Sequence, residues 1–413
     1  MTAPGDDSLF AQRDFVLFWC ARVASTVSYQ MLSVAVGWQM YALTGSALDL
    51  GLVGLAQFLP SFVLVLVVGQ VADHFDRRRT LQASASLQAL ATLVLAIGSF
   101  TGAIAVPGIF AMVVLTGAAR AFQQPAMQAL LPALVPRRLL ARAIAANSSA
   151  AQAAFIAGPA LGGVLYVAGP TLAYGVAAAL LVVTIVATAP IRLREPAAPP
   201  GKVTLESVLA GIRFIRSQPA VLGAISLDLF AVLLGGATAL LPIYARDILH
   251  SGPWALGVLR AGSAVGALAM ALWLMRFPIR HHAGRTMFAA VAVFGVATIV
   301  FGVSRSFALS LMALITLGAA DMISVVVRQS LVQLQTPDPM RGRVSAVNAL
   351  FVGTSNQLGE FESGVTAGWW GAQTAVLVGG CATIAIALLW MKLFPELRRT
   401  RSLEREEQHE VTA

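Results

Sequence analysis

Apolar residues follow one another along this chain in runs of about 20, the length a bilayer-spanning helix requires. Short polar segments rich in Arg, Gly and Pro separate the runs. The runs are too long for barrel strands and lack their two-residue alternation. Twelve spans are predicted, at residues 15–43, 49–71, 81–101, 107–130, 141–167, 171–191, 219–245, 253–276, 285–303, 307–333, 342–368 and 373–394. The first and tenth are long, which tilt accommodates. The pattern describes an all-α polytopic membrane protein.

Composition agrees. Of 413 residues, 58% are hydrophobic and 11% charged, and the mean hydropathy is +0.78. A soluble domain carries about 25% charged residues. So few charges cannot cover a water-exposed surface, and twelve spans leave little chain for a soluble catalytic domain. Cys20 and Cys381 lie far apart in apolar runs, without metal or disulfide spacing, and are expected to be buried thiols. The N-terminus is short and polar, and the first apolar run is expected to be a retained span rather than a cleaved leader.

A net charge of +9 would suit a polyanionic partner, but its distribution argues for topology instead. With both termini inside, 22 of the 28 Lys and Arg fall on the inner side; only Arg246 and Arg305 fall in outer loops. This is the positive-inside bias, and it leaves nucleic acid without a role. The expected location is the bacterial inner membrane, multi-pass, with cytoplasmic termini.

The longest connection holds a Pro-rich stretch and then Thr204–Arg216, an amphipathic segment with Thr204 as N-cap, expected to lie on the membrane surface. The predicted organisation is a six-helix bundle over 1–192, a linker over 193–218, a second bundle over 219–394 and a charged tail over 395–413. The halves repeat. At an offset of 201, Pro136 meets Pro337, Arg142 meets Arg343, Asn147 meets Asn348, Gly158 meets Gly359 and Gly163 meets Gly364. Two parallel six-span halves are an arrangement that secondary transporters use.

Two motifs sharpen this. After span two comes Gly69-Gln-Val-Ala-Asp73-His-Phe-Asp76-Arg77-Arg78-Arg79. It resembles the signature loop of the major facilitator superfamily, with Val71, His74 and Asp76 departing from the common pattern. Gly69 permits close helix approach, and Asp73 can pair with the arginines or face a helix N-terminus, forming a cytoplasmic gate. Span five holds Gly158-Pro159-Ala-Leu-Gly162-Gly163, similar to the superfamily's antiporter signature. Further stretches, among them Phe15-x-x-Phe18-Trp19-x-x-Arg22 and Arg341-Gly342-Arg343-Val344, resemble the enterobactin-exporter-like, or transmembrane secretion effector, branch. The resemblance implies the major facilitator fold, two pseudo-symmetric six-helix bundles around a central cavity lined by spans one, four, seven and ten.

Charges within spans are expensive and mark functional sites. Arg22, Arg120, Asp228, Asp321 and Arg328 fall on the four implied cavity spans. Arg120 and Asp321 are related by the 201 offset and are expected to pair across the cavity. Asp321 and Arg328 share a helix face about 10 Å apart, so Asp321 can also pair along its own helix. Burial favours a neutral carboxylate and a nearby arginine favours a charged one, so a carboxylate whose surroundings alternate binds and releases protons. Asp321 and Asp228 are the proton-coupling candidates, with Arg22, Arg120 and Arg328 as charge partners. Arg260 with Glu360 and Glu362 forms a candidate outer gate. Asn147 and Asn348 are expected to satisfy backbone groups.

Taken with the resemblance, these residues predict a monomeric secondary transporter without cofactor or metal. It would move a small amphipathic molecule, siderophore- or drug-like, outward in exchange for protons. An uptake carrier on the same fold is the alternative. A membrane-embedded enzyme or sensor is a remote one, because no nucleophile, metal or phosphate motif is present.

Overall fold

The computed structural model describes residues 8–64, 68, 71, 75–191, 205–279 and 281–400. Among these the chain is helical and contains no strand. The helices are α1 (Arg13–Thr44), α2 (Ala47–Val63), α3 (Arg77–Thr101), α4 (Val106–Leu134), α5 (Leu140–Val167), α6 (Pro170–Thr188), α7 (Leu205–Ser217), α8 (Pro219–Leu234), α9 (Pro253–Arg276), α10 (Ala283–Val303), α11 (Phe307–Gln335), α12 (Asp338–Trp370), α13 (Ala372–Leu393) and α14 (Pro395–Arg399). Among the described residues, helices occupy most of each predicted span. Among the described residues, nine helices are long and apolar enough to cross a membrane. The described part of α2 is shorter, at 17 residues. α1 and α12 carry more polar and charged residues.

Span seven departs from the expected continuous helix. α8 stops at Leu234, and a 3-10 turn over Ala237–Leu240 and irregular helical turns to Ile248 follow. The break falls on Gly235-Gly236. A Cβ on Gly236 would lie 2.5 Å from Ser363 Oγ and 2.7 Å from the Gly359 carbonyl, so this backbone runs too close to α12 for any side chain there.

The chain forms two compact units, residues 1–202 with 241–261, and 203–240 with 262–413. In the first, α1 packs on α5 and α6, α3 on α4 and α6, and α2 on α4. Phe15, Phe18, Leu81, Leu130 and Leu134 form a core near the basic loops. Tyr174 donates to Gln39 Oε1 at 2.6 Å, Gln39 donates to Ser99 Oγ at 3.0 Å, and Ser28 donates to the Ala177 carbonyl at 2.8 Å. With no water in a bilayer core, polar groups must find such partners within the protein.

α5 fits into this unit through its glycines. A Cβ on Gly162 would meet Met31 Cα at 2.8 Å, and one on Gly163 would meet the Pro253 carbonyl at 2.6 Å and Gly257 Cα at 2.9 Å. The small residues thus let α5 lie backbone to backbone against α1 and the start of α9.

In the second unit, α10 packs on α11 and α13, and α12 packs on α8 and α7. The linker helix α7 packs against α12. Ile215 is buried with Val344 and Val347, and a Cβ on Gly211 would sit 3.0 Å from the Arg343 carbonyl. Leu209 stays 52% exposed. Thr204, the expected N-cap, lies outside the described residues. The tail begins with α14, whose Leu397 is buried.

Outward faces are apolar. On α3, Leu90, Val94 and Ile97 are 57%, 40% and 54% exposed at helical spacing. Such a stripe suits lipid rather than water. The expectation of buried thiols is corrected here, because Cys20 and Cys381 are both exposed. A thiol is small and apolar enough for a lipid-facing surface.

Gly163→Ala is expected to lower the thermal midpoint of the detergent-solubilised protein, since overpacking costs about 1–3 kcal/mol. Gly175→Ala, with nothing within 4 Å of its Cβ, should leave the midpoint unchanged or raise it. Size-exclusion thermostability assays compare the two directly.

Candidate functional site

The charges on the four implied cavity spans divide unequally between the units, cations alone in one and both carboxylates in the other. Unit 1 holds Arg22 on α1 and Arg120 on α4. Arg22 Nη1 donates to Gln124 Oε1 at 3.3 Å and lies 3.4 Å from Met127 Sδ. Its Nε is buried without a hydrogen-bond partner. The Arg120 guanidinium carbon lies 3.4 Å from the centre of the Tyr29 ring, a close cation–π contact. Tyr29 donates to Gln57 Oε1 at 3.4 Å. Residues 22 and 29 are two turns apart on α1, and 120, 124 and 127 follow each other along α4, so two helices present this polar patch together.

Unit 2 holds the carboxylates. Asp228 on α8 and Arg328 on α11 are both buried, with Nη1 2.6 Å from Oδ2. Ser324, one turn before Arg328, donates to Asp228 Oδ1 at 3.5 Å. Asp228, Asp321 and Ser324 line a cavity of about 10 Å³ with Phe294 and Val291, close to the smallest space that holds one water. Asp321 is half-buried and within electrostatic reach of Asp228 and Arg328. The structure thus gives Arg328 a partner from another helix, Asp228, rather than Asp321 of its own. Asp321 lines the same small cavity, one carboxylate beyond that pair. The expected Arg120–Asp321 pair joins residues of different units; within its own unit Arg120 rests on Tyr29.

Gly69 and Asp73 of the gate motif lie outside the described residues. The basic part of that motif bonds to backbone carbonyls of neighbouring helices, Arg78 at the end of α6. Arg77 donates to the Ala129 carbonyl at 3.3 Å, and Arg78 to those of Ala189 and Ile191 at 3.1 and 3.0 Å. Cations suit helix C-termini. Asp76, a departure from the common motif, is the N-cap of α3, accepting from Arg78 N and Arg79 N at 2.8 and 3.0 Å. Arg79 is exposed. In the antiporter-like motif, Gly158, Gly162 and Gly163 make the close approaches of α5, and Pro159 is buried within the helix. A Cβ on Gly158 would lie 2.5 Å from Gln30 Cβ.

Arg260 belongs to unit 1, whereas Glu360 and Glu362 belong to unit 2, all three half-buried. The side-chain oxygens of Asn147 and Asn348 are buried without hydrogen-bond partners, so neither oxygen satisfies backbone as expected. One contact escaped sequence reasoning altogether. In unit 1, Tyr41 donates to Asp247, and Arg246 donates to the Tyr41 carbonyl at 3.2 Å. This latch ties the end of α1 to the segment before α9. Only the chemistry of the three side chains hinted at it.

A profile of the transmembrane secretion effector family matches residues 7–412. The chain belongs to that family. The enterobactin exporter EntS of Citrobacter koseri (strain ATCC BAA-895 / CDC 4225-83 / SGSC4696) is 27% identical over 388 residues, 94% of this chain and 93% of the relative. The enterobactin exporter EntS of Escherichia coli O1:K1 / APEC is 25% identical over the same length. Among solved structures, the nucleoside transporter NupG superposes with a TM-score of 0.70 at 13% identity, covering 92% of this chain and 99% of that one. A bacterial homologue of the iron transporter ferroportin, in an inward-facing state, gives 0.71 at 15% identity, covering 95% and 100%. This secretion effector is therefore a multi-pass membrane transporter of the major facilitator type and not an enzyme.

The Asp228–Arg328 pair with Asp321 nearby yields a stability order. Arg328→Gln leaves two carboxylates without a counter-ion and is expected to cost about 3–5 kcal/mol, as broken buried pairs do. Asp228→Asn should cost distinctly less, because Asp321 remains beside Arg328. Thermal midpoints in detergent check this; equal losses would contradict a role for Asp321 beside Arg328.

Proposed function

We propose that this protein exports a small amphipathic molecule, siderophore- or drug-like, in exchange for protons, by alternating access across the bacterial inner membrane with both termini cytoplasmic. The exporter relatives and the bias of basic residues support the direction and orientation. The observation that carries the coupling is Asp321. Asp228 and Arg328 neutralise each other at 2.6 Å, and Asp321 is the extra carboxylate beside a closed pair. It can be neutral when its surroundings are dry. It can ionise when water enters or Arg328 turns from Asp228. One carboxylate beyond charge balance is the requirement for carrying one proton per cycle. Asp228, already paired, acts as the switch that holds or frees Arg328.

In the proposed cycle the Tyr41–Asp247–Arg246 latch and the glycine contact of α5 with α9 keep the outer end of unit 1 shut. Both must loosen for release on that side. Arg260 with Glu360 and Glu362 is proposed to pair on the same side. Asp73 with the arginines of its loop is proposed to clamp the cytoplasmic side. A single chain suffices for this cycle.

Inverted vesicles test the proposal. With a proton gradient, they should accumulate radiolabelled siderophore- or macrolide-type compounds. Asp321→Asn should reduce this accumulation to that of vesicles without the protein, yet retain exchange of internal for external substrate without a gradient. Unaltered gradient-driven accumulation in Asp321→Asn would remove Asp321 as the proton carrier. Gradient-driven movement in the opposite direction would make the protein an uptake carrier.

A further inference from the structure

On α1 and α4, unit 1 carries two cations within its spans and, among the described residues, no anion to match them. Its described carboxylates, Asp14, Asp49, Asp76 and Asp247, all lie at or near helix ends. None of them forms an ion pair with Arg22 or Arg120. Arg22 contacts an amide oxygen and a thioether, and Arg120 contacts a ring face. All three partners are neutral.

Magnitudes show that these contacts offset only part of the cost of a buried charge. A cation–π contact contributes about 0.5–2 kcal/mol, and a neutral hydrogen bond about 1 kcal/mol. Fully removing one ion from water costs several kcal/mol, even after relaxation; Arg22 and Arg120 are half-buried and bear part of that cost. Unit 2 meets the same demand with a buried carboxylate at 2.6 Å. The α1–α4 patch of unit 1 holds two guanidiniums with unused donors, including the buried Nε of Arg22. Two cations on adjoining helices, each held only by neutral groups, are placed to receive an anion.

We propose that Arg22 and Arg120 form a subsite for the acid group of the cargo, a planar two-oxygen anion such as a carboxylate on an amphipathic organic molecule. Guanidinium forks match such a group through paired hydrogen bonds. Gln124 and Tyr29 hold the two arginines from the sides that the anion does not use. The substrate class is thus acidic rather than basic, which separates it from cationic drugs. This inference rests on the export reading for the word cargo and on the geometry of unit 1 for the charge.

The test is a matched pair of probes on the full chain in phosphatidylcholine nanodiscs at neutral pH, naphthalene-2-carboxylate and naphthalene-2-carboxamide. They share shape and differ in charge. Calorimetry should show the acid binding at least about tenfold more tightly than the amide, a difference of about 1.4 kcal/mol. Arg22→Gln and Arg120→Gln should each reduce that preference, and the double variant should abolish it. Thermal midpoints without ligand should not fall in these variants, since each removes an unmatched charge. If a Gln variant does not fold, Arg120→Lys keeps the charge and loses the fork, and it should weaken acid binding. Equal binding of acid and amide to the wild type would overturn the subsite, as would an acid preference that survives in the double variant or acid binding that is undiminished in Arg120→Lys. The vesicle assay keeps the two readings apart. Gradient-driven export of neutral compounds without acid preference would leave the exporter and remove the subsite. Acid preference without gradient-driven transport would do the reverse.

Discussion

A charge withdrawn from water must find a partner, and the placement of the functional groups in this protein follows from that constraint. Asp228 and Arg328 satisfy it directly, buried on facing helices 2.6 Å apart. Their closure leaves Asp321 as a surplus negative charge in unit 2. In unit 1, Arg22 and Arg120 are surplus positive charges with only neutral neighbours. A protein selected for stability alone would replace such groups with apolar ones, because buried ion pairs seldom repay their desolvation. In the proposed cycle charge moves at both places, a proton at Asp321 and an acid group at the arginines.

The scaffold that tolerates these charges is built on small residues. Gly158, Gly162 and Gly163 bring α5 against α1 and the start of α9, and Gly235-Gly236 breaks span seven against α12. The broken span passes from one compact unit to the other, since its last turns belong with unit 1 and its first with unit 2. A helix interrupted at two glycines bends there at low cost. The Tyr41–Asp247 latch lies beyond that break, so a change at the latch and a change in span seven share one covalent connection.

Much of this was legible from sequence because lipid imposes a coarse rule. Long apolar runs locate helices, and rare charges within them stand out whatever the fold. The family resemblance added which spans to compare. Pairing was not legible. Asp321 lies seven residues from Arg328 on one helix, yet Arg328 turns to Asp228, and only the rotation of α8 against α11 decides that. Asp76 looked like a departure from a motif, although Asp immediately before a helix is an ordinary N-cap signal. The glycine break in span seven was hidden because apolar residues continue on both sides of it. The two cysteines sit in apolar runs, and sequence alone could not distinguish a core face from a lipid face.

The central claim is that the charges within the spans face water rather than acyl chains. Cysteine accessibility at these positions tests it most directly. In a background of Cys20→Ser and Cys381→Ser, Asp321→Cys and Arg120→Cys would be exposed, in intact and inverted vesicles, to a membrane-impermeant methanethiosulfonate. Leu90→Cys, on the outward stripe of α3, serves as the lipid-facing control. The account predicts labelling of both charged positions from at least one side and none at Leu90→Cys. Labelling of positions 120 and 321 only by a lipid-soluble maleimide, as at the control, would contradict it.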